Sequence, residues 1–120
     1  MGTVVTKHDN VINGRDKGKR FELKIAAMWS DKMGGTVERS GYVNKKLDDA
    51  GVDLVGTDPF NIQCKAVESS INVHKILDRM PQDTNMNVVI HKRNHAGTVV
   101  SMSVDDFMEI VMMLRHSGAL

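Results

Sequence analysis

A chain of 120 residues with 41% hydrophobic and 26% charged side chains is long enough to close one core and too apolar to stay disordered. Its 16 basic and 15 acidic residues leave a formal charge of +1. The single cysteine, Cys64, excludes a disulfide-stapled secreted scaffold and points to the reducing cytoplasm, while the lack of an apolar run near ~18 residues or of a basic-then-apolar leader predicts no membrane association.

Residues 1–16 are polar and aperiodic, with Asn13-Gly14 as a turn signal, and are expected to form a flexible N-terminal arm. The match of Met1-Gly2-Thr3-Val4-Val5-Thr6 to a loose myristoylation pattern is read as chance. Residues 17–120 are expected to form a single domain. A first helix is predicted over Lys17–Met33 and ends at Gly34-Gly35. Thr36–Arg39 reads as a short strand, Ser40–Asp49 as a loop, Val52–Gly56 as a strand and Asp58-Pro59 as a turn. Phe60–Val67 alternates, with Phe60, Ile62, Cys64 and Ala66 on one face and Asn61, Gln63, Lys65 and Val67 on the other. A second helix over Asn72–Met80 stops at Pro81. Asn87–His91 and Thr98–Met102 read as strands joined by a turn at Lys92–Gly97. Ser103 is a suitable N-cap for a last helix, with Asp105 and Asp106 in its first turn and Val104, Phe107, Ile110, Val111 and Leu114 expected to be buried. The order α-β-β-β-α-β-β-α predicts an α/β fold with a mixed central sheet flanked by helices.

Polar residues fall at places where this pattern expects apolar ones. At ~100° per residue, Phe21, Ile25, Trp29 and Met33 mark the buried stripe of the first helix, and Glu22 falls inside it. A carboxylate there meets a cation, a metal or donors, or snorkels to water at the stripe's open end. Asp53 opens an otherwise apolar strand, where it can also cap a turn. Gln63 and Lys65 share one strand face, ~7 Å apart by strand rise, which also suits a half-exposed strand. Carboxylate oxygens suit Mg²⁺ or Mn²⁺, and an ammonium beside such a cation can stabilise charge on a phosphate.

Charge is unevenly distributed. Residues 1–46 carry ten bases against five acids (+5), residues 47–70 one base against five acids (−4), and residues 71–120 five of each. A basic region beside an acidic one suits a metal-dependent enzyme acting on a polyanion, and also an ordinary solvated surface. The five histidines have no metal-ligand spacing, so no zinc site is expected of them, and Cys64 has no partner cysteine and sits on the apolar strand face, where a catalytic thiol is not expected.

The stretches Gly18-Lys19-Arg20-Phe21-Glu22, Arg39-Ser40-Gly41, Ala50-Gly51-Val52-Asp53-Leu54-Val55 and Ile62-Gln63-Cys64-Lys65 together resemble the PD-(D/E)xK nuclease superfamily, and within it the small archaeal-type and phage Holliday junction resolvases. The resemblance spans residues 17 to about 67. It implies a restriction-endonuclease-like core and a metal-dependent, structure-selective endodeoxyribonuclease that hydrolyses phosphodiesters in four-way DNA junctions during recombination and repair. Glu22 then matches the helix-borne acid, Asp53 the central metal-binding acid, Lys65 the motif lysine and the Cys64 carbonyl a backbone ligand. Ser40 matches a loop serine near the scissile phosphate. Gln63 stands where the family usually has Glu or Asp, so the metal set Asp53, Gln63, Cys64 and Glu22 is one negative charge short.

On this reading the catalytic residues are Glu22, Asp53, Gln63, Lys65 and Ser40, and the cofactor is Mg²⁺, with Mn²⁺ as an alternative. Arg15, Lys17, Lys19, Arg20, Lys24, Arg39, Lys45, Lys46, Lys92 and Arg93 are expected to grip the DNA backbone, which gives recognition by shape rather than by bases. Two symmetry-related cuts imply a C2 homodimer, with Met108, Met112 and Met113 of the last helix as one candidate surface. If a phage encodes the chain, the compartment is the host cytoplasm. The alternatives are another PD-(D/E)xK endonuclease (nicking, mismatch or restriction type), a non-catalytic DNA-binding protein on the same fold, and an unrelated small α/β protein.

Overall fold

The computed structural model describes residues 6–120, with side chains described from Arg15 onward. Ten elements follow in order: α1 (Thr6–Met33), β1 (Glu38–Arg39), α2 (Ser40–Val43), α3 (Lys45–Asp49), β2 (Leu54–Val55), β3 (Phe60–Val67), α4 (Val73–Arg79), β4 (Met86–Arg93), β5 (Thr98–Ser101) and α5 (Val104–His116). The fold is mixed α/β. Strands β3, β4 and β5 form a mixed sheet in that order, β3 parallel to β4 and β4 antiparallel to β5, while β1 and β2 form a separate antiparallel pair. The expected single central sheet is thus divided in two. No helix among the described residues is long and apolar enough to cross a membrane.

Helix α1 begins at Thr6, eleven residues before the expected start, and carries Asn13-Gly14 within it. A glycine costs a helix ~1 kcal/mol, a penalty that a helix already nucleated downstream tolerates. The expected arm is therefore helical from Thr6, and residues 1–5 lie outside the described residues. The long helix contributes to a molecule of 62 × 28 × 25 Å. Ser40–Asp49 forms two short helices rather than a loop. Asn44 caps the second, its side chain accepting from the Leu47 N–H at 3.1 Å. Gly51, at φ +85°, turns the chain out of α3, and the Val52 N–H donates back to the Leu47 carbonyl at 2.9 Å. Glycine enters this left-handed region without the strain that a Cβ brings.

Two layers of apolar side chains hold the sheet. Phe21, Ile25 and Ala26 of α1 pack on Ile62 and Cys64 of β3 and on Val88 and Ile90 of β4, with Val37 and Leu54 closing the cluster. Trp29 completes it by meeting Phe60 edge-to-face, ring centres 5.9 Å apart. On the opposite face Val89, paired in register with Gln63, is fully buried, as are Val52 and Met80 nearby. Asn61 is buried too, its amide donating to Asp83 at 3.1 Å and to Asn87 at 2.9 Å.

Some expected core positions are exposed. Met33, at the end of α1, lies in solvent because the stripe runs past the edge of the sheet. Val104, Phe107 and Leu114 of α5 are exposed as well, with Ile110 and Val111 only half-buried. The sequence period identifies an apolar face but not what covers it. Ser103 does cap α5, accepting from the Asp106 N–H at 3.0 Å. Lys92 and Arg93 belong to β4 rather than to the turn, since Lys92 still pairs with Thr98.

Candidate metal and phosphate site

Asp53 is the point where the two sheets meet. Its backbone N–H donates to the Ile62 carbonyl at 2.8 Å, and its own carbonyl accepts from the Ser40 N–H at 2.8 Å. Its side chain turns to the same free edge of β3, where Oδ2 accepts from the Cys64 N–H at 2.7 Å. Oδ1 accepts no hydrogen bond among the described residues. In a strand, N–H and C=O of one residue point to the same side and alternate along the chain. The Cys64 carbonyl therefore shares the edge occupied by Asp53, away from the β4 ladder.

The environment of Asp53 is short of positive charge. Burial raises its carboxyl from an ordinary value of 3.8 to about 6, Glu22 and Asp48 push it further up, and the Cys64 N–H and Lys65 only partly offset this. Burial also raises the Cys64 thiol, with Asp53 and Glu22 adding to the effect, so Cys64 stays protonated and unreactive.

Glu22 projects from α1 into a 2.8 Å ion pair with Arg39 Nε, half shielded from water. Arg39 in turn lies over the Tyr42 ring, 5.6 Å from its centre. Ser40 is fully buried, and its hydroxyl lies 2.5 Å from the Val52 carbonyl and 3.3 Å from Asp48 Oδ1. That hydroxyl is used inside the fold, so Ser40 shapes the loop before Asp53 and does not present its oxygen to a phosphate.

Gln63 and Lys65 face the other side of the strand. With Asp49, Gly51, Ile76 and Arg79 they line a hollow of about 210 Å³ under α4. Gln63 Oε1 lies 3.1 Å from where a Cβ on Gly51 would sit, so the glycine leaves room for this amide. Lys65 makes no ion pair among the described residues. Two side chains that the sequence reading did not single out belong here. Asp48 adds negative charge next to Asp53, and Arg79 adds a second cation beside Lys65. Neither has a local sequence signal, because each arrives through tertiary packing.

The donors near Asp53 are of the right chemical type for a hard cation: a carboxylate with an unpaired oxygen and a strand-edge carbonyl, while the Gln63 amide oxygen, one residue before Cys64, lies in the hollow under α4. They are not gathered into a finished cage. Glu22 is engaged by Arg39, Gln63 faces Gly51, and no group of three or more His, Cys, Asp or Glu is assembled for a metal among the described residues.

Of the ten expected DNA-contacting cations, four come together. Lys17, Arg20 and Lys24 of α1 and Lys92 of β4 rim a notch of about 240 Å³ floored by Phe21 and Ala66. Lys17 Nζ also donates to Asn94 Oδ1 across the β4–β5 turn. Lys45 pairs with Asp49 at 3.5 Å in full solvent, an interaction worth little. Arg15, Lys19, Lys46 and Arg93 are exposed and separate from the notch. Comparison of the chain with protein-family profiles, with curated proteins and with solved structures gave no match.

Proposed function

We propose that the chain is a metal-dependent endodeoxyribonuclease with a restriction-endonuclease-like core, acting on branched DNA and in particular on four-way junctions. The observation that carries this reading is the setting of Asp53: a semi-buried carboxylate raised to about 6, anchored by the Cys64 N–H through one oxygen, with Lys65 one residue beyond Cys64. Such a carboxylate is costly to keep in a fold unless a cation relieves it.

Asp53, the Cys64 carbonyl and Gln63 would hold Mg²⁺ or Mn²⁺, with Glu22 joining when Arg39 releases it. A bound divalent cation supplies charge neutralisation at the scissile phosphate and acidifies water. Lys65 and Arg79, on the same hollow, stabilise negative charge developing on the phosphate oxygens. Lys17, Arg20, Lys24 and Lys92 hold a backbone phosphate at a distance from the reacting one and so fix the register of the duplex. Arg39, drawn toward DNA, frees Glu22 for the cation, which couples substrate binding to completion of the site.

The test is cleavage of a synthetic four-way junction with and without Mg²⁺, set beside linear duplex and flap substrates. Asp53→Asn is expected to abolish Mg²⁺-dependent cleavage and to leave junction binding within about twofold. Undiminished cleavage by that variant rejects the site. Preferential cutting of flap, mismatched or linear duplex identifies a nicking, mismatch or restriction-type endonuclease of the same kind. A second reading, a DNA-binding protein without catalysis, is favoured by one feature: Gln63 is neutral and Glu22 is paired, so the site holds less negative charge than a cation-binding centre normally does. It predicts binding without cleavage in either metal.

A further inference from the structure

We propose that the crevice beyond the carboxyl ends of β3 and β4 binds a small phosphomonoester with an apolar, ring-bearing body. The inference stands on that crevice alone and does not depend on the nuclease reading.

Among the described strands, β3 and β4 are the one parallel pair, and α4 makes the crossover between them. In an open α/β sheet the chain leaves the carboxyl ends of parallel strands in different directions, and ligands seat in the gap this opens. Here the chain after Val67 turns toward α4, while the chain after Arg93 turns back into β5. Between the two turns lies a cavity of about 370 Å³. Ligand cavities run from ~300 to ~1,000 Å³, so this one suits a single ring with its head group rather than a dinucleotide.

The lining selects the ligand. Val67, Ile71, Val73 and Val99 supply apolar walls. Ser69, Ser70, His91 and Arg93 supply donors, and no Asp or Glu lines the cavity. Arg93 makes no ion pair among the described residues, and the hydroxyls of Ser69 and Ser70 make no hydrogen bond there. His91 Nε2 lies 2.8 Å from Ser101 Oγ. With that hydroxyl donating to Nε2, the ring proton sits on Nδ1, which has no other partner among the described residues. Burial lowers His91 below its ordinary value, so near neutral pH the ring is an uncharged donor and Arg93 brings the charge. A carboxylate has two oxygens and leaves part of this donor set unused. A phosphomonoester has three terminal oxygens and nearly two negative charges, and the Arg93 fork matches two of those oxygens. The cavity shares no lining residue with the hollow beside Gln63 and Lys65. Lys92 lines both this cavity and the α1 notch, so a test specific to the cavity leaves it unchanged.

The experiment is titration of the full chain with phenyl phosphate in metal-free buffer near pH 7.5, followed through its amide NMR signals, with far-UV circular dichroism of every variant. Phenyl phosphate is expected to shift the amides of Ser69, Ser70, Gly97 and Val99 and to saturate below ~1 mM. Inorganic phosphate and glycerol 3-phosphate lack the apolar body and should bind at least about tenfold more weakly. Benzyl alcohol lacks the charge and should not saturate. Arg93→Gln should weaken phenyl phosphate about tenfold. Val99→Glu sets a carboxylate on the wall and should abolish binding; if it disturbs the fold, Arg93→Gln decides. Adenosine 5′-monophosphate is titrated in parallel. Affinity equal to that of phenyl phosphate identifies nucleotides as the source, and exclusion while phenyl phosphate binds identifies a smaller ring alcohol; either upholds the site. The proposal is overturned by shifts that do not saturate by ~10 mM or that fall only on Lys17, Arg20 and Lys24 or on Lys65 and Arg79. It is also overturned by inorganic phosphate binding as tightly as phenyl phosphate, or by affinity indifferent to Arg93→Gln. Junction cleavage by the native chain, scored separately, decides the nuclease reading.

Discussion

Removing the charge of Asp53 should stabilise the metal-free protein, in a way that pH switches on and off. The carboxyl is 3.8 in an open chain and about 6 in the fold, so the folded state holds the proton more tightly than the unfolded one. The sign follows: below pH ~4 the group is protonated in both states and exerts no penalty, and stability is lost as pH rises from there through 6. Two units at 1.36 kcal/mol each give a penalty of about 3 kcal/mol above pH 7. An asparagine side chain carries no charge and retains an oxygen for the Cys64 N–H, so Asp53→Asn should recover most of this. At roughly 4 °C per kcal/mol for a domain of this size, Tm should rise by about 10 °C at pH 8. Thermal or urea unfolding of both proteins in a chelating buffer, at pH steps from 4 to 8, measures the difference. The two curves should converge at the acid end. Parallel curves across the range, or a variant less stable at pH 8, would show that Asp53 carries no unrelieved charge and would refute the electrostatic reasoning behind the site. Added Mg²⁺ at ~10 times its Kd should stabilise the native chain by about 1.4 kcal/mol and leave Asp53→Asn unmoved.

Further outcomes follow from the same geometry. Gln63→Glu adds a carboxylate to the proposed ligand set and should tighten Mg²⁺ binding by about tenfold in calorimetry; unchanged affinity would remove Gln63 from that set. Gly51→Ala forces an alanine to φ +85° and brings its Cβ to 3.1 Å from Gln63 Oε1, so urea unfolding should show a loss of about 1–2 kcal/mol. Glu22→Gln removes the charge from a half-buried hydrogen bond to Arg39 while leaving an amide oxygen to accept it, and should cost about 1 kcal/mol in the same assay; Glu22→Ala, which removes the acceptor, should cost about 2 kcal/mol. Arg20→Ala and Lys24→Ala should each lower the slope of log affinity for DNA against log salt by ~0.9, whereas Lys46→Ala, apart from the notch, should lower it less.

The parts of the fold that the sequence announces are those with a local period or a local cap. Strand β3 begins and ends where the alternation of Phe60–Val67 does, because one face meets α1 and the other does not. Ser103 marks the start of α5 through a bond to a backbone N–H three residues away. The misreadings share a different physics. The start of α1 is hidden by Asn13-Gly14, which lowers helix propensity without forbidding the helix. Helices α2 and α3 are too short to show a period. The exposure of α5 is set by what surrounds it. At the candidate site the same division holds: Asp53 and Cys64 are adjacent because β2 enters the edge of β3, while Asp48 and Arg79 reach the neighbourhood through the turn at Gly51 and the β3–α4–β4 crossover.

That crossover explains why polar side chains are tolerated around Asp53. Helix α1 covers the Ile62 and Cys64 face, and α4 approaches the Gln63 and Lys65 face. With β4 occupying only the other edge, the backbone groups of Ile62 and Cys64 need partners. Asp53 supplies an acceptor for the Cys64 N–H and a donor for the Ile62 carbonyl, leaving the Cys64 carbonyl at the same open edge. A hydrophobic residue at position 53 would satisfy the apolar pattern of β2 and leave the Cys64 N–H without that carboxylate. Asp53 therefore has a structural reason to be there that requires only one oxygen and no charge. An asparagine would serve that purpose without the burial penalty on a carboxylate. The excess charge is what a purely structural role does not account for, and its response to a divalent cation is the sharpest distinction between a working centre and a strand cap.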